Sequence, residues 1–143
     1  MGTRSTTKIY KTNNGMKKEP ILSLYKQWDG YPDGWGEELK EFIKKCIVVN
    51  GYNKERDSKK NKLLCNGVGC FALQLVKEFK EGTGDLYATT QEDEQEFNYE
   101  IIFDILESDG FSSRYIEVNL ICHEYKDFNQ TYLIDKYGCI KEK

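Results

Sequence analysis

The sequence predicts an α+β domain in which an antiparallel or mixed sheet of about six strands carries two helices packed on one face. Three observations predict it. Two segments, one beginning at Glu37 and one at Val68, repeat their apolar residues with helical spacing. Alternating segments rich in Ile, Tyr and Thr flank them on both sides. No repeat or low-complexity linker divides the 143 residues, a length that suits one hydrophobic core.

Thr3 to Lys11 alternates as a strand, and Asn13-Asn14-Gly15 supplies residues that tolerate the positive φ of a tight hairpin turn. The second arm is expected over Ile21 to Trp28, begun by Pro20, with Leu22, Leu24 and Trp28 on one face and Ile21, Ser23 and Tyr25 on the other. A Gly- and aromatic-rich turn, Trp28 to Gly36, leads into the first helix. There Leu39, Phe42, Ile43 and Cys46 fall at i, i+3, i+4 and i+7. Glu37 and Glu38 at its start and Lys44 and Lys45 near its end complement the helix dipole, and Asn50-Gly51 is read as its stop.

Residues 52–62 are Lys-rich and nearly free of apolar side chains, which reads as an exposed loop. Val68, Phe71, Ala72, Leu75, Val76 and Phe79 then define the second helix, closed by Gly82 to Gly84. Four strands are expected after it: Asp85 to Thr90, Phe97 to Leu106, Tyr115 to Tyr125 and Gln130 to Asp135. Asp109-Gly110 marks a turn, and the acidic stretch Gln91 to Glu96 is expected to face water.

Composition excludes several classes. Hydrophobic residues make up 38% and aromatic residues 13%, too much for a disordered chain. No apolar run approaches the roughly 20 residues of a membrane span. A secretory leader is not evident, and five cysteines, an odd number, sit in helix-like and strand-like patterns. A cytoplasmic protein with reduced thiols is the expectation. Gly2 with Thr6 matches a loose myristoylation pattern, but residues 3–10 already read as a strand. The net charge of −3 disfavours binding to extended nucleic acid.

The residues that could carry chemistry mostly have ordinary explanations. His123 is the single histidine and lies in an alternating strand beside Cys122, whose side chain points to the other face, so a structural or solvent-facing role is expected. Cys65 and Cys70 lack a second ligand pair and read as core thiols, so no metal and no cofactor are expected. Asn66-Gly67-Val68-Gly69 approaches a helix start, where packing or capping competes with phosphate binding. Gln27 to Gly36 is the strongest candidate, with two Trp, one Tyr and three Gly beside Pro32. Rings fixed at a helix mouth can stack on a flat ligand, or they can cap the core. Arg4, one of three arginines, could pair with Asp29 or hold a phosphate.

Three runs carry a resemblance: Met1-Gly2-Thr3-Arg4-Ser5; Leu24-Tyr25-Lys26-Gln27-Trp28-Asp29-Gly30-Tyr31-Pro32 with Gly34, Gly36, Glu38-Leu39 and Phe42; and Asn66-Gly67-Val68-Gly69-Cys70 with Gln74-Leu75. Over residues 1–80 the chain resembles a family of uncharacterised bacterial and phage proteins, for which no activity is established. That pattern usually has Arg where Lys26 stands, and a further Gly or His near Trp35. The resemblance implies a phage setting, hence interference with host defence by holding a nucleotide-derived signal or by docking on a host protein.

The functional expectation is a non-catalytic binding protein with Arg4, Gln27, Asp29, Tyr31, Trp35, Gly36 and Asn66 at its site, holding a small anionic or nucleotide-like ligand. Tyr31 and Trp35 would stack, Arg4 would hold charge and the helix start at Gly36 would supply N–H groups. The alternative is an interaction module that presents the same turn to a host protein. An enzyme using Asp29 or Asp33 as a general base lacks an identifiable partner group. Self-association is left open.

Overall fold

A computed structural model describes residues 2–14, 16–51, 62–108 and 112–143. Along the chain run β1 (Ser5–Asn13), β2 (Glu19–Lys26), a π-helical turn (Pro32–Gly36), α1 (Glu37–Lys45), β3 (Cys46–Val49), β4 (Leu63–Asn66), α2 (Gly67–Phe79) and β5 (Leu86–Ala88). They continue with β6 (Phe97–Ser108), β7 (Ser112–Cys122), a 3-10 turn (Lys126–Phe128), β8 (Gln130–Ile134) and β9 (Ile140–Glu142).

Seven strands form one sheet in the order β5-β2-β1-β6-β7-β8-β9, while β3 and β4 form a separate parallel pair. The β1–β6 pair is parallel and every other pair in the large sheet is antiparallel. The α+β mixed sheet with two helices therefore matches the sequence reading. Residues Asn13 and Asn14 close the first hairpin, Asn14 taking φ +53°.

Three strands were not foreseen: β9, β3 and β4. The first helix stops at Lys45, and Cys46 has extended backbone at φ −88°, ψ 150°. Cys46, Ile47, Val48 and Val49 are all buried. Burial on both faces suits a short β-branched strand, and the i+7 position of Cys46 concealed the change of period. The second strand ends at Lys26: Gln27 N–H still donates to the Asp85 carbonyl at 2.7 Å, in register with the Lys26–Leu86 pair, and the chain then turns at Asp29, where φ is +59°. Gly15, residues 52–61 of the expected loop and the Asp109-Gly110 turn lie outside the described residues.

Period-two alternation divides the large sheet into a dry and a wet face. Ile9, Leu24, Tyr99, Ile101, Phe103, Val118 and Leu120 share one core with Leu39, Phe42 and Ile43 of α1 and Phe71, Ala72 and Leu75 of α2. Edge-on ring contacts join the layers: Phe42 to Phe71 at 5.4 Å and Phe71 to Phe103 at 4.8 Å between centroids. The opposite face carries polar pairs instead, such as Thr6–Asn98 at 2.7 Å and Thr131–Asn119 at 2.6 Å.

Candidate functional site

The turn between β2 and α1 is bolted to the sheet. Gly30 N–H donates to the Thr3 carbonyl at 2.9 Å, and its own carbonyl accepts from the Tyr99 hydroxyl at 2.7 Å. A Cβ on Gly30 would lie 2.6 Å from Ser5 Cβ, so the approach to β1 requires glycine. Pro32 starts the π-helical turn, whose amides are used internally: Gly34 and Gly36 N–H both point to the Tyr31 carbonyl, and Trp35 N–H to that of Asp29. The bond to Asp29 holds that residue in the left-handed region at φ +59°.

Facing this turn is the loop that ends α2. The pairing of β5 with β2 brings Gly82 to Asp85 against Lys26 and Gln27. A cavity of about 550 Å³ lies between the two loops, lined among others by Lys26, Trp28, Asp29, Tyr31, Glu38 and Asp85. Trp28 is 44% and Tyr31 39% exposed, so both rings are open to a ligand.

The two tryptophans have opposite roles. Trp35, expected to stack on a ligand, is 1% exposed. Its Nε1–H donates to Thr7 Oγ1 at 2.8 Å and its ring meets Phe79 edge-on at 4.8 Å. It forms the cavity floor as part of the core, and the residue that offers its ring to solvent is Trp28.

The lining is acidic. Lys26 Nζ, the one cation in the lining among the described residues, is already held by Asp85 Oδ2 at 2.7 Å and lies 4.9 Å from the Trp35 ring centroid. Against it stand Asp29, Glu38, Glu81 and Asp85. The buried Oδ1 of Asp85 has no hydrogen-bond partner among the described residues. A phosphate brought here would meet more negative than positive charge, so the lining opposes the anionic ligand expected from sequence.

The other expected site residues fall in different places. Asp29 and Tyr31 line the cavity, and Gln27 backs it by accepting the Asp85 N–H on Oε1 at 3.4 Å. Arg4 is exposed, makes no ion pair among the described residues and does not line the cavity. Gly36 faces Phe128, which a Cβ would meet at 2.7 Å, and its N–H is already engaged. Asn66 sits at the far end of α2, about 20 Å of helix away from Phe79. Its Oδ1 accepts the Gly51 N–H at 2.9 Å, and, two residues on, Val68 N–H donates to the Tyr115 hydroxyl at 3.3 Å.

Sequence reasoning missed Lys26, Glu38, Phe79 and the Gly82 to Asp85 loop. The visible signal was Gly82 to Gly84, read only as a helix stop. Of the remaining candidates, Cys65 is buried against Cys46, and Cys70 is half-buried on α2. Contact with Cys65, together with burial, pushes the Cys46 thiol far up and keeps it protonated. His123 is half-exposed and bonds Glu100. No helix among the described residues is long and apolar enough to cross a membrane. No protein-family model, no curated protein and no solved structure matches the chain.

Proposed function

We propose that the chain is a binding protein that holds a small flat ligand, neutral or positively charged, in the cleft between the Trp28–Gly36 turn and the Gly82–Asp85 loop. The observation that carries this reading is the exposure of two rings, Trp28 and Tyr31, on the wall of a cavity of about 550 Å³. That volume lies within the range of small-molecule sites, roughly 300–1,000 Å³. The backbone behind the rings is fixed by hydrogen bonds to Thr3, just before β1, and to Tyr99 of β6, which lowers the ordering cost of binding. A nucleobase or aromatic amine suits the rings, and the carboxylates suit N–H donors or a cation. A phage protein that holds such a molecule would act by sequestration.

The direct test is a thermal-shift panel of adenosine, adenosine monophosphate and tryptamine, repeated on Trp28→Ala. Stabilisation by adenosine or tryptamine that disappears in Trp28→Ala supports the reading; a flat response to the whole panel counts against it. The 44% exposure of Trp28 favours one second reading, an anchor for a host protein. In that case Trp28→Ala abolishes a pull-down while no small molecule shifts the melting temperature.

A further inference from the structure

Glu100 lies on the helix-free face of the sheet, yet it is only 7% exposed. Both its oxygens are engaged: Oε1 accepts from Lys18 Nζ at 2.8 Å, and Oε2 lies 2.8 Å from His123 Nε2. Lys18 also lies 4.7 Å from the centroid of the Tyr10 ring. Burial alone would raise the Glu100 carboxyl, but its contacts with Lys18 and His123 outweigh burial and hold it below the ordinary value.

An ionised carboxylate can only accept hydrogen bonds, so His123 Nε2 must carry the hydrogen. The neutral imidazole then has its basic lone pair on Nδ1. That nitrogen has no hydrogen-bond partner among the described residues, and the His123 side chain is 52% exposed. His123 lines a cavity of about 400 Å³ with Lys8, Tyr10, Glu94 and Asn98. The Tyr10 hydroxyl is likewise without a partner among the described residues, and burial followed by the charge of Glu100 keeps its proton on. Asn98 and Glu124 are tied to each other, with Asn98 N–H to Glu124 Oε1 at 2.6 Å and Nδ2–H to Oε2 at 2.9 Å.

We propose that His123, oriented by Glu100, is a general base that activates water against a small uncharged ester in this second cavity, separate from the Trp28–Gly36 cleft. A water O–H bond breaks and its proton passes to Nδ1 while the oxygen bonds to the ester carbonyl carbon. The carbonyl electron pair moves onto oxygen, where the Tyr10 hydroxyl can donate to it. Collapse breaks the bond to the alkoxide, which takes the proton from the imidazolium, giving acid and alcohol. Glu94, Glu100 and Glu124 outnumber Lys8 and Lys18 around His123, which disfavours anionic esters.

The experiment is multiple-turnover hydrolysis of p-nitrophenyl acetate by the full chain. The expected rate falls about 100-fold in His123→Gln. Tyr10→Phe lowers kcat more than it changes KM. Glu100→Gln, which keeps an acceptor but removes the charge, lowers kcat with little change in KM, and Glu100→Asp recovers part of the loss, a split that a merely structural residue would not give. Three results overturn the proposal: a wild-type rate no greater than that of equimolar free imidazole, acylation that stops after one turnover, or a natively folded His123→Gln within about twofold of wild type.

Discussion

Asp29 and Asp85, one on each loop of the candidate cleft, both hold left-handed backbone, at φ +59° and +61°. Among the described residues the one other non-glycine residue with positive φ is Asn14, in the first hairpin turn. Such conformations cost energy and persist where surrounding hydrogen bonds enforce them. Here the bonds are Trp35 N–H to the Asp29 carbonyl at 3.1 Å and Gln27 N–H to the Asp85 carbonyl at 2.7 Å. The loops that line the cleft are therefore built, rather than loosely hung, on the sheet.

That conclusion has a measurable consequence at Asp29, whose side chain is exposed. Asp29→Gly should raise unfolding free energy by about 0.5–1 kcal/mol, and Asp29→Val should lower it by about 1–2 kcal/mol. Urea unfolding of the two variants checks the signs. Equal stability of both would mean that the backbone there is not constrained.

The division of labour between the tryptophans predicts a second contrast. Trp35→Ala removes a core ring and its bond to Thr7, so a loss of about 3–5 kcal/mol or failure to fold is expected. Trp28→Ala should change stability by no more than about 0.5 kcal/mol. Thermal and urea denaturation distinguish them, and a strongly destabilised Trp28→Ala would show that this ring belongs to the core.

Glu100 predicts a pH dependence with a definite sign. Burial opposes its charge, but Lys18 and His123 together lower its carboxyl in the folded state. A lowered folded value contributes stability above the unfolded value, about 4.3, and that contribution is lost as pH falls through the folded value. The stability advantage of wild type over Glu100→Gln should therefore be full near neutrality and shrink below about pH 4. An advantage that does not shrink below about pH 4 would contradict the assignment.

What sequence made legible follows from the range of the forces involved. The helix over Leu39, Phe42 and Ile43 and the longer one from Val68 to Phe79 rest on local periodicity, and both are present. Local pattern could not reveal the parallel pairing of β1 with β6, which joins Ser5 to Phe97. The cleft depends on the same kind of distant contact, since Lys26 meets Asp85 across 59 positions. Trp28 and Trp35 look alike in composition, but Trp35 lies in the π-helical turn with its ring in the core, whereas Trp28 lies between β2 and that turn and is exposed. Tyr31 and Asp29 were readable because they project from the turn itself, whereas Asn66 was added for its Gly-rich approach to a helix start and lies at the other end of α2.

The central claim is that Trp28, and not Trp35, meets the ligand. The chain has two tryptophans, so ¹⁵N-labelled protein gives two indole N–H signals. Titration with adenosine or tryptamine should move the Trp28 signal in a saturable way and by more than that of Trp35, which lies on the cavity floor with its N–H bonded to Thr7. An unmoved Trp28 signal at saturating concentrations of every member of the panel would contradict the account.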